Sequence, residues 1–374
     1  ESLHNSSLYL LCAVFIIHTH TYIIIDLYAQ CGKILEKLGI CSDLSLLRFV
    51  SDGIPPWRDS KLLIKDLKVD EVPLRIYQPK QPPTGKRRGI LYFHGGAGTF
   101  GSIKHIAQDR IQVGFEYLQR RRLHTTQWQY FDCLNATLYF MRNLEEYHVD
   151  PTLIIIGGDS CGANFATVIC QILLNKRDLP KVRAQVLIYP GLQGLDFHLP
   201  SYQQNASVPI LVPKLVIYLG LRYLNKNTSF LDDILQNCYV PDSMKLKYKK
   251  WVSADNIPDK FKIRGYKPQK STSYKPEVHE AVKELLTTTF SPLLAEDSVI
   301  CQLPESYIVT CEFDVLRDDG LLYKKRLEDN GVQVSWYHSE SGFHGVLGFF
   351  GYGIFSFLSG KKIMDNIVNY INSL

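Results

Sequence analysis

The stretch LIIIGGDSCGANFA, residues 153–166, decides the reading of this chain. Four apolar residues make a short strand of the kind that is buried on both faces. They run into Gly157-Gly158-Asp159-Ser160-Cys161-Gly162, and small residues then open a helix. Gly158 to Gly162 fit the pattern G-x-S-x-G, and the flanking strand and helix supply the strand–turn–helix context that gives the pattern meaning. Such a turn is strained, so its flanks must be small; Gly158 and Gly162 let strand and helix approach closely. Ser160 is then expected exposed above the sheet edge, at a helix N-terminus whose dipole favours developing negative charge. The competing reading is a glycine-rich turn with an inert serine.

Working outward, His94-Gly95-Gly96 follows another short apolar strand, GILYF (residues 89–93). Glycines after a strand expose backbone N–H groups, which an oxyanion hole requires. The expected donors are Gly95, Gly96 and Cys161, the residue after the serine, with His94 supporting the loop. A serine hydroxyl is a weak nucleophile and needs a base, which in turn needs an orienting acid. The chain order expected for this turn is serine, acid, histidine. Asp314 follows the apolar strand YIVT (307–310), and His344 lies in GFHG (342–345) after VQVSWY (332–337). Both positions are C-terminal strand ends, where open α/β sheets carry their sites. Asp318 and Asp319 are alternative acids, but they begin the next helix and read as caps. His338 is an alternative base, or a surface histidine. A thiol mechanism through Cys161 is disfavoured, because the residue after the nucleophile points away from substrate.

Elsewhere, residues 67–69 and 72–77 alternate apolar and polar side chains like a half-buried hairpin. VLIY (186–189) is a further short apolar strand. Helical patterns at 133–147, 163–175, 319–330 and 361–371 separate the strands. The expected fold is α/β, a mostly parallel sheet flanked by helices. Between 195 and 290 the strand pattern stops, and helical pieces at 212–223 and 276–286 suggest an inserted cap. The expected organisation is 1–60 as N-terminal membrane-associated or cap helices, 61–195 and 291–374 as two parts of the core, and 196–290 as the cap.

The 374 residues are 45% hydrophobic and 21% charged, which excludes a disordered chain, a collagen and a small disulfide scaffold. The formal net charge is +5, and the basic runs at 86–88 and 120–122 are short and read as solvated surface, so nucleic-acid binding is not expected. The nine cysteines form no C-x-x-C and no zinc-type spacing, so no metal site is expected. One apolar run, LYLLCAVFIIHTHTYIII (residues 8–25), approaches spanning length, broken by His18, Thr19 and His20. Membrane association is expected, with spanning and interfacial placement both open. No A-x-A-like cleavage site follows the run, which argues against a removed signal peptide. N-x-S/T triplets at Asn5, Asn135, Asn205 and Asn227 lean towards a secretory lumen.

With these residues in view, the sequence resembles the hormone-sensitive-lipase branch of the α/β-hydrolases, and within it the arylacetamide deacetylase-like 3 and 4 group. Besides HGG, GDSCG and GFHG, the resemblance rests on LEKLGICS (35–42), RAQVLIYP (183–190), LPSYQQNASVP (199–209), SADNIPDKFKIRGY (253–266) and DVLRDDGLLYKKRLEDNGV (314–332). It implies a Ser160–Asp314–His344 triad that hydrolyses esters or amides of lipophilic acids without a cofactor. It also implies a signal-anchored protein of the endoplasmic reticulum with a lumenal catalytic domain; Asn5 would lie on the wrong side of such an anchor. No protein partner is implied.

The chain departs from that family in three places. The third glycine of its HGGG loop is Ala97, which keeps the N–H but restricts φ. GDSAG reads GDSCG. Between 103 and 130, where the family has a helix and a hydrophobic core strand, the chain offers one helix pattern (106–121) and no obvious strand. A missing core strand would leave unpaired backbone groups on both sides of the gap, at ~1–3 kcal/mol for each buried orphan. The expectation is therefore a sheet disturbed beside residues 89–93. The rival to a serine hydrolase is a catalytically silent relative that binds a lipophilic ligand in the same pocket.

Overall fold

Alternation along the strands divides the interior between two faces of one sheet. In β5 (Val149–Asp159), Ile154 and Ile156 enter one apolar cluster and Ile155 the other. In β3 (Arg87–Phe93), Leu91 and Phe93 face the first cluster and Ile90 the second. The same split separates Leu187 from Val186 and Ile188 in β6 (Ala184–Ile188), and Ile308 from Tyr307 and Val309 in β7 (Glu305–Phe313). Strands covered on both sides read as unbroken apolar runs because neither face meets water. The computed structural model of the protein describes residues 61–70, 72–81, 85–96, 114–117, 128–208, 210–269, 272–350 and 356–374.

The sheet has eight strands in the order β1 (Leu62–Val69), β2 (Val72–Pro79), β4 (Gly114–Tyr117), β3, β5, β6, β7 and β8 (Val334–Phe343). β1 and β2 form the expected antiparallel hairpin. From β4 through β8 neighbouring strands are parallel. Helix α1 (Trp128–Arg142), α2 (Cys161–Leu173) and α4 (Arg317–Asp329) pack on the larger cluster through Phe140, Phe165 and Leu322. Helix α5 (Leu358–Ser373) covers the other face with Ile363 and Ile367.

The expected gap in the sheet is not there. β4 (Gly114–Tyr117) fills the slot, and the sheet is continuous. Its four residues pair antiparallel with Leu74 to Tyr77, and the first three of them pair in parallel with Ile90 to Tyr92. The helix expected over 106–121 fails at these residues; the rest of that range lies outside the described residues. The physical reason is that a slot between two formed strands offers hydrogen-bond partners on both sides. A short segment of weak intrinsic preference takes the strand conformation there, because leaving those groups unpaired costs more.

Among the described residues, the chain between Ile188 and Glu305 holds no strand. It carries helix α3 (Pro213–Tyr223) and a series of short helices. Its apolar residues Leu211, Ile217, Leu221, Tyr239 and Trp251 join the larger core cluster. The run at residues 8–25 and the N-terminal segment 1–60 lie outside the described residues. Among the described residues no helix is long and apolar enough to cross a membrane.

Candidate active site

Ser160 follows β5 and caps helix α2 at φ 56°, ψ −123°, a backbone conformation that non-glycine residues rarely adopt. What holds it there is contact on both sides. A Cβ on Gly162 would stand 1.9 Å from the carbonyl oxygen of Phe93, and one on Gly158 would stand 2.4 Å from the backbone of Gly162. Both positions must therefore be glycine for helix α2 to start this close to β3 and β5. The Ser160 N–H donates to the carbonyl of Ile188 at 2.9 Å, and the Ser160 carbonyl accepts from Ala163 at 3.1 Å, the first turn of the helix.

Because β5, β6, β7 and β8 run parallel and side by side, their C-terminal ends share one edge. Ser160 follows β5, Asp314 follows β7 and His344 follows β8. His344 Nε2 lies 2.9 Å from Ser160 Oγ, and His344 Nδ1 lies 2.8 Å from Asp314 Oδ2. Asp314 is fully buried, and its other oxygen accepts the N–H of Leu316 at 2.8 Å. A carboxylate beside Nδ1 keeps the proton on that nitrogen, so in the neutral ring Nε2 is an acceptor facing the serine hydroxyl. Tyr189 packs edge-on against the imidazole, with ring centroids 5.0 Å apart. This arrangement can take a proton from a serine as it attacks a carbonyl carbon.

The glycine loop requires one correction. The N–H of Gly95 donates to Asp159 Oδ1 at 2.8 Å, so it is not aimed at an oxyanion. Asp159 Oδ1 also accepts the hydroxyl of Tyr92 at 2.7 Å, and Oδ2 accepts that of Tyr189 at 3.4 Å. Burial holds the Tyr189 phenol well above its usual range, so it remains a donor. Asp159 thus ties the HGG loop to the serine turn. It occupies the variable position of G-x-S-x-G, which is why the motif gave no hint of it. Gly96 follows at φ 109°, and Cys161 is the first residue of helix α2, where N–H groups point out of the helix end. Ala97 lies outside the described residues. His94 is buried and its Nδ1 donates to the carbonyl of Gly95 at 2.7 Å.

The alternative residues are elsewhere. His338 faces Thr310 Oγ1 at 2.9 Å and Glu312 Oε2 at 3.2 Å. Asp318 and Asp319 are not caps: Leu316 holds the cap position of helix α4, and both carboxyls are fully buried inside it. Asp318 pairs with the buried Arg317 at 2.9 Å and accepts the N–H of Ser201 at 2.6 Å. Asp319 accepts the N–H of Leu192 at 2.9 Å and the side chain of Gln193 at 3.1 Å. Burial pushes Asp319 up to about 7, and these hydrogen bonds pull it only part of the way back.

Beside Ser160 a mostly apolar pocket opens to solvent; the free space at this site, counted together with the open solvent at its mouth, is about 710 Å³. Its walls include Phe165, Leu219, Tyr223, Phe290 and Leu316. Tyr223 stands between Phe165 and Phe290, with ring centroids 6.1 and 6.2 Å away. Asn164, one turn into helix α2, donates to the carbonyls of Gly191 and Phe290 at 2.8 and 2.7 Å and so fixes two walls of this cavity. Its signal in the sequence was faint, a single amide in an otherwise small and apolar helix start.

Comparison with known proteins agrees with this fold. A family model described as the alpha/beta hydrolase fold matches residues 123–247 and 266–348. Arylacetamide deacetylase-like 4 of Homo sapiens is 42% identical over 354 residues, which is 92% of this chain and 86% of that protein. Arylacetamide deacetylase of Bos taurus is 38% identical, over 85% of this chain and 82% of its own length. Among solved structures, carboxyl esterase 2 from the mycorrhizal fungus Tuber melanosporum superposes with a TM-score of 0.62 at 19% identity, covering 85% of this chain and 89% of its own. That last likeness is one of fold.

Proposed function

The chain belongs to the α/β-hydrolase family, in the group of the arylacetamide deacetylases and their like, and from that premise we propose that it is a serine hydrolase of lipophilic carboxylic esters and amides. Ser160 Oγ attacks the acyl carbonyl carbon while His344 Nε2 takes the hydroxyl proton. Asp314 keeps the imidazole in the required tautomer and stabilises the imidazolium. The N–H groups of Gly96 and Cys161 hold the oxyanion, while that of Gly95 stays on Asp159. The tetrahedral intermediate collapses, the alkoxide or amine leaves with the proton from His344, and an acyl-Ser160 ester remains. Water then attacks that ester with His344 again as base, releasing the acid and restoring Ser160. The chain's residues and water balance every step.

The observation that carries this reading is the chain of contacts Ser160–His344–Asp314 at 2.9 and 2.8 Å, with the serine held in a strained turn. The apolar, aromatic-walled cavity beside Ser160 supports a lipophilic acyl or alcohol group. The test is hydrolysis of p-nitrophenyl esters and of an N-aryl acetamide by the wild type and by Ser160→Ala. Turnover lost in the variant supports the reading; full turnover in the variant overturns it. A folded wild-type protein without turnover would favour the silent binder.

Membrane association through residues 8–25, with the hydrolase on the lumenal side of the endoplasmic reticulum, is part of the same proposal. Carbonate extraction and protease protection of microsomes check it. Release by carbonate, or digestion of the hydrolase in sealed vesicles, would contradict it.

A further inference from the structure

Asn205 reads in the sequence as a glycosylation triplet, Asn205-Ala206-Ser207. In the structure its side chain is fully buried, and it ends the short helix Pro200–Gln204. Its Nδ2 donates to the carbonyl of Asp314 at 2.8 Å and to that of Glu312 at 3.2 Å. Its Oδ1 accepts Arg264 Nη2 at 3.0 Å. Chemistry fixes the orientation of the amide: a guanidinium only donates and carbonyls only accept, so the oxygen must face Arg264 and the nitrogen the two carbonyls. Arg264 also donates to the Glu312 carbonyl at 3.0 Å and to its carboxylate at 2.9 Å.

The turn that carries Asp314 needs such support. The pairing of β7 with β8 shifts register between Cys311 and Phe313, so Glu312 sits at an irregularity of the ladder. Ser201, in the same short helix, adds a hydrogen bond from its hydroxyl to the Val315 carbonyl at 2.6 Å. Three carbonyls around the acid, those of Glu312, Asp314 and Val315, are therefore held by groups from the segment inserted between β6 and β7.

We infer that Asn205, oriented by Arg264, is a positioning residue that holds Asp314 against His344. The inference rests on the proposed roles of Ser160, His344 and Asp314. It also means that the atom that would carry a glycan is already committed, so the folded, active protein carries none at Asn205.

The test compares Asn205→Ala and Arg264→Met with the wild type, each normalised to sites titrated by a fluorophosphonate, using a p-nitrophenyl ester across pH. A loosened Asp314 stabilises the imidazolium less. The limb of the pH profile that reports His344 should therefore move to lower pH. The rate constant per titrated site should fall by up to about 10²-fold with KM little changed, the scale of an ångström-sized misplacement. Arg264→Met should move both quantities the same way by less, and it decides the matter if Asn205→Ala does not fold. A loss of titratable sites or of thermal stability, with the per-site rate and the limb unmoved, would assign Asn205 a folding role only and overturn the inference. Turnover persisting in Ser160→Ala is read separately and would overturn the assignment beneath it.

Discussion

Replacing Asp159 separates geometry from charge at the loop that is proposed to hold the oxyanion. Both short contacts fall on one oxygen: Oδ1 takes the Gly95 N–H at 2.8 Å and the Tyr92 hydroxyl at 2.7 Å. Among the described residues, Oδ2 has the longer contact to Tyr189 at 3.4 Å. Asp159→Ala removes the shared acceptor. Hydrogen bonds to a charged group are worth ~1.5–3 kcal/mol each, so two lost together give ~3–6 kcal/mol with which the HGG loop was held. Released, the loop no longer presents Gly96 at a fixed place, and loss of one oxyanion donor costs ~10²–10³ in kcat. Asp159→Asn keeps the shape, with the amide oxygen in place of Oδ1 and the amide nitrogen facing the Tyr189 hydroxyl, which can accept. The remaining deficit is that of a neutral acceptor in place of a charged one, ~1 kcal/mol, or roughly fivefold. The assay is kcat and KM on a p-nitrophenyl ester, with a urea melt on each variant. The expected order is wild type, then Asn slightly lower, then Ala lower by about two further decades, with KM little changed. Equal damage in Asn and Ala would refute the geometric argument and assign the effect to charge. An Ala variant with wild-type kcat would show that the loop holds itself.

Two other outcomes follow from the packing. Gly162→Ala places a methyl 1.9 Å from the Phe93 carbonyl oxygen, which is backbone and cannot swing aside. A loss of ~3 kcal/mol or more is expected in a denaturant melt, and a neutral substitution would contradict the close approach of helix α2 to β3. Asp319 is fully buried and raised to about 7 from 3.8, so between those values the folded state keeps a proton that the unfolded chain releases. Stability should therefore fall as pH rises through that window, by ~4 kcal/mol at most for about three units, and level off above it. Urea midpoints at pH 5 and pH 8 check this: Asp319→Asn should lack that part of the slope, and an identical slope in both proteins would contradict it.

The parts of the fold that could be read from the sequence are those whose cause is local. β3, β5, β6 and β7 are buried on both faces and appear as apolar runs, and the elbow appears as two glycines at fixed spacing around Ser160. Strand ends and chain order bring Asp314 and His344 forward as candidates, and the structure sets them 2.8 Å apart. What escaped depends on neighbours distant in sequence. GFEY in β4 is a strand because β2 and β3 leave a slot for it, while its own pattern suits a helix as well. The direction of the Gly95 N–H is set by a carboxylate 64 residues away. Asp318 and Asp319 look like caps until the helix is seen to start with Leu316 as its cap, burying both. Asn205 matches a triplet rule that says nothing of burial, and its partner Asp314 lies 109 residues on.

The central claim is that Ser160 is an activated nucleophile. The most direct measurement is covalent labelling of folded, monodisperse protein with a fluorophosphonate, followed by peptide mass mapping. A single adduct on Ser160 is predicted, absent from Ser160→Ala and strongly slowed in His344→Ala. A folded protein that takes up no label, or one labelled at another residue, would contradict the account.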